Sequence, residues 1–381
     1  MHFDWSDEQR LLLRNAYDFA DRNLNHGLNE RFSEGRLCKQ SWSHMGTFGA
    51  LGLCLPPEFG GLGFDTLTAA GMMESLGEGC KDLGLLFSAA AHQFACAEPI
   101  AKAGAEDLKE RLLPRLADGR AIGANAITEA EAGSDIAALK TSAVRSDDGY
   151  VLQGSKSYVS NGPVADVFIV YATTDPSAGY LGITAFCVER DTPGLVIGER
   201  ICTMGMETAP ISSLYLDNCR VPLSHRIGDE GGGSAIFAES MQSERTCLFA
   251  IYLGVMKRQL NLAIEHARNR RQFRRPIARF QSVAHRIADM KLHLDSSRLL
   301  LYRACWERDQ GRTASLAVSL AKLATSEGAV AVGMDMIRVF GGAGVMTEVG
   351  VERGLRDAVP SLIFSGTSDI QRNLIAKELG L

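Results

Sequence analysis

The spacing of apolar residues changes twice along this chain, and that change does most to limit the folds open to it. From residue 6 to about 119 apolar side chains recur at helical spacing, and between about 122 and 226 they form short β-rich runs bounded by turn residues. Beyond Gly233 the helical spacing returns and persists. The pattern predicts three units: an N-terminal helical domain (1–120), a middle β domain (121–227) and a C-terminal helical domain (228–381).

Length, charge and cysteine content narrow the class of protein. At 381 residues the chain exceeds what one hydrophobic core usually supports, and a net charge of −5 gives no reason to expect nucleic acid as a partner. The nine cysteines contain no C-x-x-C pair, and the eight histidines show no ligand spacing. The polar N-terminus lacks a signal peptide's apolar core, and no apolar run reaches the ~20 residues of a membrane span. We therefore expect a cytoplasmic protein without a metal, nucleic-acid or membrane partner.

A loop rich in small and hydroxyl-bearing residues spans 126–135 and reads AITEAEAGSD. Because Gly133 has no Cβ, the backbone there can approach a flat ring or a pyrophosphate closely. Taken alone, the loop is better interpreted as a surface turn.

A second candidate segment, 154–162, reads GSKSYVSNG. In a regular strand Tyr158 and Ser160 lie on the same face, because side chains two residues apart point the same way. The other interpretation of this segment is a simple edge strand.

Five arginines lie within eight residues from Arg268 to Arg275. Such a cluster can bind phosphates of any kind, including those of RNA.

Two glycine-rich stretches are weaker signals. Gly341 and Gly342 follow an apolar helix rather than a strand, so they do not form a dinucleotide-binding loop. The stretch 228–233 lacks the Lys-Ser/Thr of a phosphate-binding loop and is interpreted as a hinge between domains.

The order and spacing of these segments resemble the acyl-CoA dehydrogenase family across essentially the whole chain. The resemblance implies an N-terminal helical domain, a middle β-barrel-like domain and a C-terminal four-helix bundle. It also implies FAD between the middle and C-terminal domains. The subunits would form a homotetramer, or at least a dimer, because the family completes its FAD site across a subunit boundary.

The resemblance carries FAD contacts onto matching positions of this sequence. They are Ile127, Thr128, Gly133, Ser134, Tyr158, Ser160, Arg270, Gln272, Phe273, Gln281, Arg338, Gly341, Gly342, Thr367 and Asp369. Three positions depart from the family: Arg274 replaces a glycine, Arg338 replaces a glutamine, and 205–209 reads GMETA where the family has Gly-Met-Arg-x-Ser.

The catalytic base of most family members is absent from its usual place. The family reads aromatic-Glu-Gly-Thr there, whereas this chain reads Phe364-Ser365-Gly366-Thr367. The family has a second location for the base, and it corresponds to Glu244. The resemblance thus implies Glu244 as the base, with Glu239 as the reserve candidate and a solvated surface glutamate as the other interpretation. The implied substrate contacts are Ser134, Arg245, Ser365 and Gly366.

Residue chemistry agrees with that assignment. Glu244 lies in a helical pattern that runs to about Asn269, next to the apolar Leu248 and Phe249. Burial should raise its pKa toward neutrality, which suits a base that removes an α-proton from a thioester. Arg245 points to another face of the helix and need not neutralise the carboxylate.

A narrower resemblance, carried by segments 84–96, 244–250 and 364–369, is to prolyl-carrier-protein dehydrogenases. These flavoenzymes oxidise proline held as a thioester on a peptidyl carrier protein, en route to pyrrole- or pyrroline-containing natural products. For this chain one or two oxidations of the prolyl group are expected. The implied partners are a carrier protein with its phosphopantetheine-bound substrate and an electron acceptor, either an electron-transfer flavoprotein or oxygen. The alternatives are a short or branched-chain acyl-CoA dehydrogenase, a dehydrogenase of another carrier-bound acyl chain, and a flavin-free scaffold that uses the arginine cluster.

Overall fold

The computed structural model describes residues 4–381. Its N-terminal part is helical, and α1 begins at a capping box between Ser6 and Gln9. The helices are α1 (Asp7–Asn23), α2 (Leu28–Glu34), α3 (Lys39–Phe48), α4 (Thr66–Gly79), α5 (Leu83–His92), α6 (Glu98–Ala103) and α7 (Glu106–Ala117). A π-helical turn, Gln93–Ala97, joins α5 to α6.

The middle part is one eight-stranded mixed sheet with apolar cores on both faces. Its strands are β1 (Gly123–Ala126), β2 (Ser142–Arg145), β3 (Gly149–Ser160), β4 (Val167–Thr173), β5 (Ile183–Glu189), β6 (Leu195–Ile201), β7 (Ile211–Pro222) and β8 (Arg226–Ile227). The order is β6-β7-β3-β2-β4-β5-β8, and β1 pairs with β4 in parallel. One face packs on α6 and α7, so the sheet is fixed against the N-terminal helices.

The C-terminal part is a helical bundle. Its elements are α8 (Gly233–Ser243), α9 (Phe249–Asn269), the hairpin strands β9 (Arg271–Gln272) and β10 (Arg275–Pro276), α10 (Gln281–Asp309), α11 (Ser315–Phe340), α12 (Arg353–Ala358) and α13 (Ser368–Glu378). α9 packs on α4, α10 and α11, so one apolar core runs through the N-terminal and C-terminal helices.

Two stretches, Gly233–Asn269 and Ser315–Val345, are long and apolar enough to cross a membrane by length and composition alone. Their most apolar windows are 72% and 44% buried inside the protein, and both stretches pack on other bundle helices. Core helices of a bundle have this composition.

The structure corrects two local predictions. The long helix is interrupted at Glu244–Leu248 by a π-helical turn, an insertion that is common at functional sites. β3 has a register shift between Lys156 and Val159, and Tyr158 adopts a φ of +56° there. Regular alternation therefore does not set the directions of Tyr158 and Ser160.

Candidate active site

Glu244 is the first residue of the π-helical turn, and its side chain is buried, with 7% of the residue exposed. The Ser365 hydroxyl donates a hydrogen bond to Glu244 Oε1 at 3.0 Å. Burial raises the pKa of Glu244 to about 7, while the Ser365 hydrogen bond and the charge of Arg245 oppose that rise. A carboxylate with this pKa can accept a proton near neutral pH.

The segment around Ser365 is held by two side chains. Arg245 Nε donates to the Ser365 carbonyl at 2.8 Å, and Gln371 Nε2 donates to the Gly366 carbonyl at 3.1 Å. The φ angles of Ser365 and Gly366 are +53° and +85°, a left-handed turn that is unfavourable for serine. These contacts fix the turn that places the hydroxyl against Glu244.

Arg245 serves this turn rather than neutralising Glu244. Within residues 4–381 it forms no ion pair with that carboxylate, and its guanidinium donates to the Ser365 carbonyl. Burial lowers the pKa of Arg245, and the charge of Glu244 opposes this. Both side chains reach Ser365, Arg245 at its carbonyl and Glu244 at its hydroxyl, and the charge of Arg245 lowers the pKa of Glu244.

Aromatic side chains wall the site. The Phe364 ring lies 4.9 Å from Phe87 of α5 and 5.3 Å from Phe249 of α9, measured between centroids. Tyr252 packs behind Phe364, with its hydroxyl donating to the Asp357 carbonyl at 3.1 Å. Phe364 precedes Ser365 in the chain, so these rings pack beside the serine that contacts Glu244.

Glu239, the reserve candidate, lies in a different environment. Lys102 Nζ and Arg308 Nη2 donate to Glu239 Oε1 at 2.9 and 3.1 Å. Although burial acts to raise the pKa of Glu239, these two cations bring it below its usual value. An ion-paired carboxylate of this kind is a poor base at neutral pH.

The hydroxyl-rich loop and β3 form one unit in the middle domain. Lys156 Nζ donates to the Ile127 carbonyl at 3.1 Å and to Glu129 Oε1 at 2.7 Å, and Ser157 N donates to the Thr128 carbonyl at 2.8 Å. The Lys156 side chain and the Ser157 backbone therefore hold Ile127 and Thr128 against the part of β3 that precedes Tyr158. Glu129 and Lys156 were not among the predicted residues, although a lysine in a β-run and a glutamate in a small-residue loop are signals of a buried pair.

These residues fit a flat, polar cofactor. The Tyr158 ring is 66% exposed, and a Cβ at Gly133 would meet no atom within 4 Å. Among residues 4–381, no hydrogen-bond partner is found for the buried Oδ1 atoms of Asn125 and Asn161, which lie at the ends of the two segments. Unpaired buried oxygens and a free ring are what an incoming polar heterocycle needs.

Asn161 links this unit to the aromatic wall. Its Nδ2 donates to the Ser88 carbonyl at 2.9 Å and to the Gly123 carbonyl at 3.0 Å. Ser88 follows Phe87 on α5, and α5 packs on the π-helical turn of Glu244. The candidate cofactor strand and the candidate base thus flank the same helix.

A second group of predicted residues lies at another end of the bundle. Gln272, Phe273 and the preceding Arg270 are exposed on the β9–β10 hairpin, where Phe273 and Arg274 have φ angles of +50° and +67°. The arginine in place of the family's glycine thus occupies a left-handed position. Exposed Gln281 follows the hairpin in the sequence. Exposed Gly341 and Gly342 follow Phe340, whose ring stacks at 3.9 Å on His266 near the end of α9, just before the hairpin.

Two further predicted contacts have other partners. Arg338 donates to Asp335 at 3.0 Å, and Asp335 is shared with Arg286. Thr367 caps α13 by accepting from Ile370 N, while Asp369 and Ser134 are exposed. Within residues 4–381 the hairpin group forms no hydrogen bond with the Ile127–Ser160 unit.

Three family models match the chain in order. They describe the acyl-CoA dehydrogenase N-terminal domain (residues 6–120), middle domain (124–219) and C-terminal domain (231–380). The chain belongs to the acyl-CoA dehydrogenase family and is an FAD-dependent oxidoreductase. The predicted fold class and cofactor are confirmed.

Among individual proteins, this chain is similar to two dehydrogenases and to one solved structure with bound FAD and proline. The chain is 50% identical over 343 residues to an L-prolyl-[peptidyl-carrier protein] dehydrogenase from Pseudomonas fluorescens. The matched region covers 90% of each of the two proteins. It is 43% identical over 381 residues to one from a Serratia species, covering 100% of this chain and 99% of that protein. The solved structure of PigA with FAD and proline is similar over 100% of both chains, with a TM-score of 0.98 and 43% identity.

Proposed function

We propose that this protein dehydrogenates L-prolyl tethered to a peptidyl carrier protein, with Glu244 as the base. The observation that carries the proposal is a buried carboxylate with a pKa of about 7, hydrogen-bonded to the serine that replaces the usual glutamate. The names of the relatives support the substrate class.

The reaction removes one hydrogen from the α-carbon and one from the β-carbon of the prolyl thioester. The Glu244 carboxylate takes the α-proton, which is acidified by the neighbouring thioester carbonyl. When bound, FAD supplies the acceptor for the hydride of the β-carbon. Phe364 and Phe87 exclude water, so the proton passes to Glu244 rather than to solvent.

Ser365 has two roles in this proposal. Its hydroxyl hydrogen is donated to Glu244, which leaves the oxygen lone pairs free to accept from the ring N–H of proline. Burial of an unpaired ring nitrogen would cost a few kcal/mol, and this acceptor offsets part of that cost. Arg245 and Gly366 hold the serine in place.

The remaining assignments support the same function. We propose that Ile127, Thr128, Gly133, Ser134, Tyr158 and Ser160 hold FAD in one subunit. The hairpin residues Arg270, Gln272 and Phe273, together with Gln281, Gly341 and Gly342, would complete the FAD site of a neighbouring subunit. The proposal also includes a homotetramer, a cytoplasmic location and the three domain boundaries given above. The electron acceptor would be an electron-transfer flavoprotein or oxygen. Arg338, Thr367 and Asp369 also belong to the proposed FAD contacts, and the Arg338 side chain, which donates to Asp335, remains 53% exposed.

Replacing Ser365 by alanine is expected to shift the pH dependence of flavin reduction to higher pH. The hydroxyl stabilises the charged form of Glu244 and lowers its pKa, so its removal raises that pKa further above the usual value. The base is then deprotonated only at higher pH. The measurement is the anaerobic bleaching rate between pH 5.5 and 9, roughly the range over which such a group titrates.

Ser326→Ala is the matched control, because this buried serine of α11 donates to the Lys322 carbonyl and does not contact Glu244. An unchanged pH profile in Ser365→Ala would show that the hydroxyl does not act on the base.

The substrate class is tested by comparing thioesters on the purified, FAD-loaded protein. L-prolyl carrier protein should bleach the flavin fastest, whereas free proline and L-prolyl-CoA should react poorly. A clear preference for isovaleryl-CoA would instead support a branched-chain acyl-CoA dehydrogenase and overturn the proposed substrate.

A further inference from the structure

Arg308, near the end of α10, contacts the π-helical turn that carries Glu244. Its guanidinium donates to Thr246 Oγ1 at 3.1 Å, to Ser243 Oγ at 2.9 Å and to Glu239 Oε1 at 3.1 Å. The side chain is only 10% exposed. Ser243 and Thr246 lie on either side of Glu244 in the chain, so one planar guanidinium spans the turn.

Thr246 acts on the same turn from within. Its hydroxyl donates to the Gln242 carbonyl at 2.8 Å and also approaches the Ser243 carbonyl at 3.1 Å. A threonine hydroxyl that bonds back to the preceding turn loosens or bends a helix there. The hydroxyl thus accompanies the change from α-helical to π-helical geometry at Glu244.

The N-terminal helices hold the turn from another direction. Ser243 Oγ donates to Glu98 Oε1 of α6 at 2.9 Å, and Lys102 pairs with both Glu98 and Glu239. α6, α8 and α10 are therefore joined around the turn by hydrogen bonds between charged and hydroxyl groups. None of these contacts reaches the Glu244 carboxylate itself.

We propose that Arg308 and Thr246 are positioning residues, which set the π-helical turn so that Glu244 points at Ser365 and the substrate α-carbon. The proposal rests on the role of Glu244 proposed above. The extra residue of the π-helical turn redirects the Glu244 side chain, and the three contacts of Arg308 hold that direction. Glu244 can therefore act as a base from this helix. Loss of either residue should move the carboxylate without removing it.

A merely structural role would alter stability alone, whereas a positioning role also alters proton transfer. The Ser365 hydrogen bond depends on where the turn places Glu244, so a displaced turn loses that bond and the base titrates at higher pH. Several ionisable groups face this region from different elements. They are Arg245 on the turn itself, Glu98 and Lys102 from α6, Glu239 from α8, Tyr171 from β4, Arg308 from α10 and Lys322 from α11, whose pKa is lowered by burial and by the charge of Arg245.

The decisive comparison is Thr246→Val against Thr246→Ser. Valine keeps the shape of threonine and changes no charge, so any effect reports geometry rather than electrostatics. Thr246→Val should slow anaerobic flavin bleaching by roughly 10- to 100-fold, the scale of a displacement of about 1 Å, and should move the pH profile upward. Thr246→Ser retains the hydroxyl and should resemble the unmodified protein.

Arg308→Met should act in the same direction, since it removes all three contacts. Its matched control is Arg298→Met, which removes another partly buried arginine of α10 whose partners are Glu74 and Asp295. Arg298→Met should lower the unfolding temperature but leave the pH profile unchanged.

The outcomes separate this inference from the proposed function. If Glu244→Gln bleaches normally, the role of Glu244 is wrong and the positioning role falls with it. If Glu244→Gln is inactive while Thr246→Val and Arg308→Met match the unmodified protein in rate and pH profile, only the positioning role is wrong.

Discussion

Glu244→Gln is expected to slow anaerobic flavin bleaching by L-prolyl carrier protein at least ~10²-fold, with FAD still bound. Glutamine is nearly isosteric and can keep a hydrogen bond with Ser365, but it cannot accept the α-proton. The measurement is stopped-flow absorbance of the flavin, with FAD content determined on the same sample.

Glu239→Gln is the control for this variant. Glu239 lies one turn plus one residue earlier, and its Oε1 accepts from Lys102 and Arg308. Glutamine keeps an oxygen that can accept from both, so this variant should leave bleaching within a few-fold of normal. Near-normal bleaching in Glu244→Gln, with the loss in Glu239→Gln instead, would move the base to Glu239.

Arg31→Met is expected to destabilise the protein by about 3–5 kcal/mol, the usual range when one partner of a buried ion pair is removed. Arg31 of α2 pairs with Asp82, whose side chain is fully buried. Asp82 also accepts from Thr208 of the middle domain and from Leu85 N at the start of α5. The variant leaves a buried charge at the junction of these elements.

Urea unfolding at fixed protein and FAD concentration measures the effect. Lys140→Met is the control, because the Lys140–Glu131 pair is exposed and such pairs contribute little. Equal urea midpoints for Arg31→Met and the unmodified protein would show that the buried pair adds nothing to stability.

The sequence was sufficient to predict the fold class and the family. The two changes of apolar spacing mark the helical, β and helical parts, and the motifs follow in family order. Glu244 could be proposed because Ser365 lacks the function of the residue it replaces. Its apolar neighbours Leu248 and Phe249 predict burial and a raised pKa, and the structure shows Glu244 buried with a pKa of about 7.

The local geometry could not be predicted. Apolar spacing around Glu244 is compatible with a regular helix, whereas the observed π-helical turn is contacted by α6 and α10, which are distant in sequence. The left-handed conformation of Tyr158 arises likewise where β3 slips against β7. In both places tertiary contacts override a local pattern.

The central claim is that Glu244 removes the α-proton of a carrier-bound prolyl group. One measurement tests it most directly: the intact mass of a carrier loaded with L-proline deuterated at Cα, after one anaerobic turnover. The account predicts that the carrier loses one deuterium and one hydrogen, and that Glu244→Gln leaves its mass unchanged over the same time. Retention of the deuterium in an oxidised product, or no change of mass with the unmodified protein, would contradict it.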